Sequence, residues 1–146
     1  MQRKILNAVL LLGYLLPFKL FALPEMIIGE ATIEPGIHLI FECGIKDDIA
    51  PNNVFLSESE TDVHIEVLAN WSENAPKGTT PGGHVAYLIV SLVVKNEITN
   101  ISDTVNLVPH LNLSDNLHYA QNIKLPGKID DKYILNFIIE PTKNGS

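Results

Sequence analysis

Apolar and polar positions alternate along much of this chain. In Val63-His64-Ile65-Glu66-Val67 the apolar side chains hold the odd positions and the polar ones the even positions. A period of two sends successive side chains to opposite faces of a strand, so His64 and Glu66 share the face that Val63, Ile65 and Val67 leave free. The same pattern predicts strands over Ile37–Ile45, Asp62–Ala69, His84–Lys95, Thr104–His110, His118–Lys124 and Lys132–Glu140, and a short one over Glu25–Thr32. Tyr87–Val94 is apolar nearly throughout, which predicts a central strand buried on both faces. Turn chemistry separates these runs at Pro51-Asn52-Asn53, in the Pro- and Gly-rich Asn74–Gly83, at Asn96–Asp103 and at Pro126-Gly127. No stretch of this part carries a capped helical period. Short strands joined by polar turns predict an antiparallel β-sandwich.

The first 22 residues differ in kind. Met1-Gln2-Arg3-Lys4 is a basic head, Ile5–Leu16 is apolar apart from Asn7, Gly13 and Tyr14, and Pro17, Lys19 and Ala22 follow. These are the parts of a cleavable secretory signal, with the cut expected after Ala22. A membrane anchor needs about 20 apolar residues, and Pro17 and Lys19 interrupt this run too early. Residues 23–146 are then the exported product: one all-β domain, with six or seven strand runs at the spacing of an immunoglobulin-like sandwich. Removing the signal takes away Arg3, Lys4 and Lys19, so the 10 basic residues fall to 7 against 17 acidic ones, a net charge of −10. That balance excludes nucleic acid as a partner class, because phosphate binding needs a basic surface. Cys43 is the sole cysteine, so no disulfide forms within the chain, and its strand-like surroundings mark it as a small apolar filler.

The chain carries no hydrolase signature, phosphate loop or dinucleotide fingerprint. Its candidate chemistry is histidine on strands: His38, His64, His84, His110 and His118. An imidazole and a carboxylate two residues apart, as in His64 and Glu66, lie roughly 6–7 Å apart at Cα on one strand face. Such a pair suits a divalent transition metal, either as two ligands or as a ligand and its hydrogen-bonding support. His110 and His118 bracket the loop Leu111–Leu117, and a chain that turns back there brings both rings together. Three imidazoles and a carboxylate suit Cu(II), Zn(II) or Fe. The competing reading is that each histidine sits on a solvated strand face, and spacing alone favours it.

Three segments shift that balance. Thr61-Asp62-Val63-His64-Ile65-Glu66-Val67, Gly83-His84-Val85-Ala86-Tyr87-Leu88-Ile89-Val90 and Ser114-Asp115-Asn116-Leu117-His118-Tyr119-Ala120-Gln121-Asn122-Ile123-Lys124-Leu125-Pro126-Gly127 resemble the patterns A-D-I-H-L-E-A, G-E-W-I-P-Y-L-T-V and S-D-G-P-H-Y-G-x-N-V-K-L-P-G. These belong to the periplasmic iron-uptake accessory family, copper-binding immunoglobulin-like proteins found beside bacterial iron permeases. Ile28-Gly29-Glu30 is similar to that family's mature N-terminus, and the resemblance covers nearly all of residues 23–146.

The resemblance implies copper ligation by His64 and His118, with Glu66 as the neighbouring carboxylate and Asp115 shaping the loop before His118. Two departures stand out. The family's methionine ligand, in F-M-P-M, falls at or next to His110 of Leu107-Val108-Pro109-His110, and its last-strand histidine is Ile138 here. Glu30 and His84 are secondary candidates, His84 standing where the family has tryptophan. The implied metal is copper or zinc, with iron as the transported ion. The implied partners are an inner-membrane iron permease and a second copy of the chain, the place is the periplasm, and no turnover is expected. Two other readings stay open: a non-catalytic structural or adhesive sandwich with a degenerate site, and a metal-dependent oxidase or reductase acting on iron.

Overall fold

A computed structural model describes residues 25–45, 49–111 and 117–142. The signal segment and Asp115 lie outside the described residues, so the expectations placed on them are not addressed by the fold. Seven strands form: β1 (Met26–Ile33), β2 (Ile37–Ile45), β3 (Val63–Trp71), β4 (Leu88–Asn96), β5 (Ser102–Leu111), β6 (Leu117–Ile123) and β7 (Tyr133–Pro141). The one helical element among the described residues is a 3-10 turn at Glu58–Glu60. No helix among these residues is long and apolar enough to cross a membrane.

All strand pairing is antiparallel, and the strand order is β1-β2-β3-β6-β5-β4-β7 in one curled sheet. The curl comes from β5. Its first part pairs with β4, as at Leu107 with Val90, and its last part pairs with β6, as at Val108 with Ala120. One strand thus belongs to both layers of the sandwich. The far ends of the sheet meet where Phe41 of β2 packs on Phe137 of β7, ring centroids 4.3 Å apart. Between the layers lie Leu39, Ile65, Val67, Val90, Leu92, Val94 and Tyr119, all buried. Each large apolar side chain enclosed in this way contributes about 1.5–3 kcal/mol. Cys43 packs against the same core, and burial raises its thiol pKa, in line with an unreactive apolar filler.

Five strands have both ends within two residues of the sequence pattern, and a sixth, Ile37–Ile45, matches it outright. β4 departs by starting at Leu88 rather than His84. The chain at His84 pairs with Asn70 at the end of β3, and Val85 N–H donates to Ala69 O at 2.8 Å. Tyr87 then takes a left-handed backbone, φ 63°, which ends that pairing and carries the chain across to the other layer. The Tyr119 hydroxyl secures the crossing. It donates to Val85 O at 2.9 Å and accepts from Leu88 N–H at 3.2 Å.

A second correction concerns burial. β4 is buried on one face only, through Val90, Leu92 and Val94, while Ser91, Val93 and Lys95 are half-buried. The strand buried on both faces is β3. Ile65, Val67 and Ala69 face the core, and His64 and Glu66, on the other side, are 4% and 3% exposed. Residues 49–61 contribute to this by lying against the outer face of β5 and β6, where Asn122 stands opposite His64. Ile49, Phe55 and Thr61 of that covering segment are buried. Its turn is tied by Thr61 Oγ1–H donating to Ser57 O at 2.7 Å, and it is fastened to β6 by Asn122 Nδ2–H donating to Leu56 O at 2.9 Å.

Candidate metal centre

Strand register assembles the site. β3 runs beside β6 with His64 opposite Asn122, Glu66 opposite Ala120 and Val67 opposite Tyr119. With a period of two, His118, Ala120 and Asn122 share the outer face with His64 and Glu66. β5 brings His110 into register with His118. Residues from three strands thus converge under the covering segment, in a place that the linear sequence spreads over more than fifty positions.

The contacts form one chain of polar groups. His64 Nε2 lies 2.8 Å from Glu66 Oε1, and His118 Nε2 lies 3.3 Å from the same oxygen. His110 Nδ1 and His118 Nε2 are 3.0 Å apart, so one ring donates to the other. At the far end His64 Nδ1 lies 2.8 Å from Asn122 Oδ1. The amide orientation settles the protons here. A backbone carbonyl only accepts, so the atom bonded to Leu56 O is the amide nitrogen, and the atom facing His64 is the oxygen. His64 therefore donates from Nδ1, and its Nε2 beside Glu66 Oε1 favours the protonated ring in the metal-free protein. The electrostatics agree. Burial disfavours a charged His64, but its hydrogen bonds to Glu66 and Asn122 and the charges of Glu66 and Glu25 outweigh this and raise its pKa. Burial likewise disfavours the Glu66 anion, yet the His64 hydrogen bond and the nearby His118, His64 and His110 rings lower its pKa.

The donor set fits a metal. One ligand atom from each of His64, Glu66 and His118 lies within 4.8 Å of the others, all three buried. Bonds of about 2.0–2.1 Å at tetrahedral angles put neighbouring ligand atoms roughly 3.3 Å apart. Of the Glu66 distances, 3.3 Å to His118 equals that spacing and 2.8 Å to His64 is shorter, so His64 would move slightly apart from Glu66 on binding. Phe55 of the covering segment packs edge-on against His110, centroids 5.5 Å apart, and closes one side. Beside Phe55 and Asn122 a cleft of 550 Å³ opens between the covering segment, β5 and β6.

The remaining sequence candidates fall elsewhere. Glu30 is exposed on β1, opposite Ile40, and is not among the residues grouped at the centre. The carboxylates grouped with Glu66 are Glu25 and Glu42, within 4.8 Å of it and of each other at one ligand atom each. Glu42 lies directly opposite Glu66 in the β2–β3 register. His84 stacks on Tyr119, centroids 5.4 Å apart. Burial lowers its pKa, opposed by a hydrogen bond to the Leu117 backbone and assisted by the charge of His118. Its Nδ1 is buried without a hydrogen-bond partner, but the ring is not part of the His64–Glu66–His118 group. His38 sits near Thr32 Oγ1 at 3.4 Å. Ile138 is 42% exposed and pairs with Ser91 in the other layer, so it contributes nothing to this centre. Asn122 is a member that motif reading passed over. Its signal was available, because it stands four residues after His118 and so on the same strand face.

A sequence search of curated proteins finds no match. Solved structures do match in fold. A copper-bound variant of P19 from Campylobacter jejuni is 24% identical with a TM-score of 0.73, covering 81% of this chain and 77% of that one. Copper-reconstituted P19 is 22% identical with a TM-score of 0.70, over 81% and 77% of the two chains. A copper-bound variant of FetP from uropathogenic Escherichia coli strain F11 is 24% identical with a TM-score of 0.72, over 82% and 77%. The family model for the iron transport family, described as Fe2+ transport protein, matches residues 22–146. With the match spanning the whole sandwich and every strand that builds the centre, the chain belongs to the Fe2+ transport protein family.

Proposed function

We propose that this protein is a periplasmic metal-binding protein that assists iron uptake, holding copper or zinc at His64, Glu66, His110 and His118. The observation that carries the reading is the buried convergence of two histidines and a carboxylate from β3 and β6, with a third histidine hydrogen-bonded to the group. A solvated strand face has no need to bury imidazoles beside a carboxylate, and burial of such groups costs free energy unless they are paired or bind a metal. Solved structures with the same fold include copper-reconstituted P19 and a copper-bound variant of FetP.

In this reading His64 binds through Nε2, because Nδ1 is engaged with Asn122. Glu66 supplies a carboxylate oxygen and offsets the charge of the ion, His118 supplies Nε2, and His110 reaches in from β5. A bound Cu(II) or Zn(II) supplies positive charge and Lewis acidity at this point. The covering segment keeps water away and keeps the ligands in place. Glu25 and Glu42 add hard oxygen donors next to Glu66, the donor type preferred by Fe2+ over Cu(I). Iron is the transported ion, and an inner-membrane iron permease and a second copy of the chain are the expected partners. The protein performs no turnover of its own.

The test is the metal content and location of untagged protein. Protein recovered from the periplasm should begin at or near Leu23 and contain about one copper or zinc per chain. A His64→Ala, His118→Ala double variant should lose that metal. Retention of Met1, or equal metal in parent and double variant, would contradict the proposal.

A further inference from the structure

Resting on the metal reading above, we infer that Asn122 is a positioning residue for the metal centre: its side-chain amide orients His64 so that Nε2 is the binding nitrogen, and it fastens the covering segment over the same ligand. Asn122 is 1% exposed and stands opposite His64 in the β3–β6 register. Its Oδ1 lies 2.8 Å from His64 Nδ1, and its Nδ2 donates to Leu56 O at 2.9 Å. Each end of the amide has one chemical role. The carbonyl of Leu56 accepts only a proton donor, which fixes Nδ2 on that side, and Oδ1 then presents an acceptor that holds the His64 proton on Nδ1.

This matters because an imidazole has two nitrogens and can bind through either. Held at Nδ1, the ring keeps its Nε2 aimed toward Glu66 and His118, where the other donors converge. A hydrogen bond to the nitrogen away from the metal fixes ring orientation and makes the bound nitrogen more basic, and its loss costs about 10–100-fold in metal affinity in other sites of this kind. The second bond of Asn122 does a different job. Through Leu56 O it ties the segment carrying Phe55, which packs on His110, to the strand that carries His118. One side chain therefore sets the direction of one ligand and holds down the cover that abuts another.

Two substitutions separate these jobs. Asn122→Leu keeps the approximate volume and removes both bonds. Asn122→Asp keeps an acceptor for His64 Nδ1–H and removes the donor to Leu56 O. In metal-free parent at about pH 6, nuclear magnetic resonance should show a slowly exchanging His64 Nδ1–H. That signal should vanish in Asn122→Leu and persist in Asn122→Asp. Competition titrations with Zn(II) should show affinity about 10-fold or more weaker for Asn122→Leu, and within a few-fold of parent for Asn122→Asp at pH 8. Parent-like Zn(II) affinity in Asn122→Leu would overturn the inference, as would an equal loss in Asn122→Asp, which would place the whole effect in the covering segment. Run beside them, His64→Ala distinguishes the two levels of argument. If it binds Zn(II) as tightly as the parent, the metal reading itself fails, whatever the Nδ1–H signal shows.

Discussion

Metal loading should expel a proton from His64, and the affinity should carry the signature of that exchange. When its ring is protonated His64 donates from both nitrogens, and Nε2, 2.8 Å from Glu66 Oε1, is the nitrogen a metal would take. The proton on Nε2 must leave first, so binding competes with protonation. The free ring titrates above the ordinary imidazole value of about 6.5, because its hydrogen bonds to Glu66 and Asn122 prevail over burial. Below that raised pKa each pH unit weakens apparent affinity about tenfold, equivalent to about 1.36 kcal/mol. Affinity should therefore climb about tenfold from pH 5.5 to 6.5 through this group alone, go on rising past 6.5, and level off only above the raised pKa. Glu66→Gln provides the control. Without the anion, burial governs His64 and its pKa falls, so this rise should flatten over the same range even though binding is weaker overall. Isothermal titration with Zn(II) in two buffers of different ionisation enthalpy counts the released protons, with about one expected near pH 6 from His64. No proton release in the parent, or an undiminished slope in Glu66→Gln, would refute the assignment of a charged His64–Glu66 pair.

The same pair sets how metal-free stability varies with pH. The raised His64 pKa contributes stability that is complete below about 6.5 and is lost as pH rises through the folded value, while the lowered Glu66 pKa contributes stability that is complete above about 4.3 and is lost as pH falls through its folded value; urea midpoints of metal-free protein should peak between those limits and lose the peak in Glu66→Gln. His64→Ala combined with His118→Ala removes two imidazole donors and should weaken Cu(II) binding by about 100-fold or more, measured against a chelator of known affinity. His110→Met replaces an imidazole with a thioether and should shift preference toward Cu(I) over Zn(II); an unchanged ratio in paired Cu(I) and Zn(II) titrations would place His110 outside the bound shell. Tyr119→Phe deletes the hydroxyl that joins Val85 O and Leu88 N–H and should cost about 1–3 kcal/mol, seen as a lower urea midpoint at constant slope.

Strand positions were legible in the sequence because period-two alternation is a local property. The shared face of His64 and Glu66 followed directly from it, and the structure keeps both on one side of β3. What alternation cannot carry is the identity of the neighbour across a sheet. Glu42 comes to Glu66 only through the β2–β3 register, and Glu25 only through β1, whose pairing with β2 shifts between Ile27 and Gly29. After that shift Glu30 lies opposite Ile40, two residues along β2 from Glu42. The start of β4 was misread for a different reason. The apolar run from Val85 onward looks continuous, but its first part pairs with β3 and the rest with β5 and β7, and only the backbone turn at Tyr87 separates them. The burial of β4 and β3 was exchanged because the covering segment, in which the sequence pattern marked only the turn at Pro51-Asn52-Asn53, buries Ile49 and Phe55 and packs Phe55 on His110.

Enclosure of β3 on both sides bears on how this molecule should be dissected by mutation. Along His64–Val67 every side chain is shut away, so nearly any replacement there disturbs the fold as well as whatever else the position does. A survey that scored only yield or protease resistance would rank His64 and Val67 together and would find no trace of the division between them. The two messages written into that strand separate only when each variant is scored twice, once for folding and once for the ion it holds. Positions that fail the second score while passing the first are the ones that belong to the chemistry.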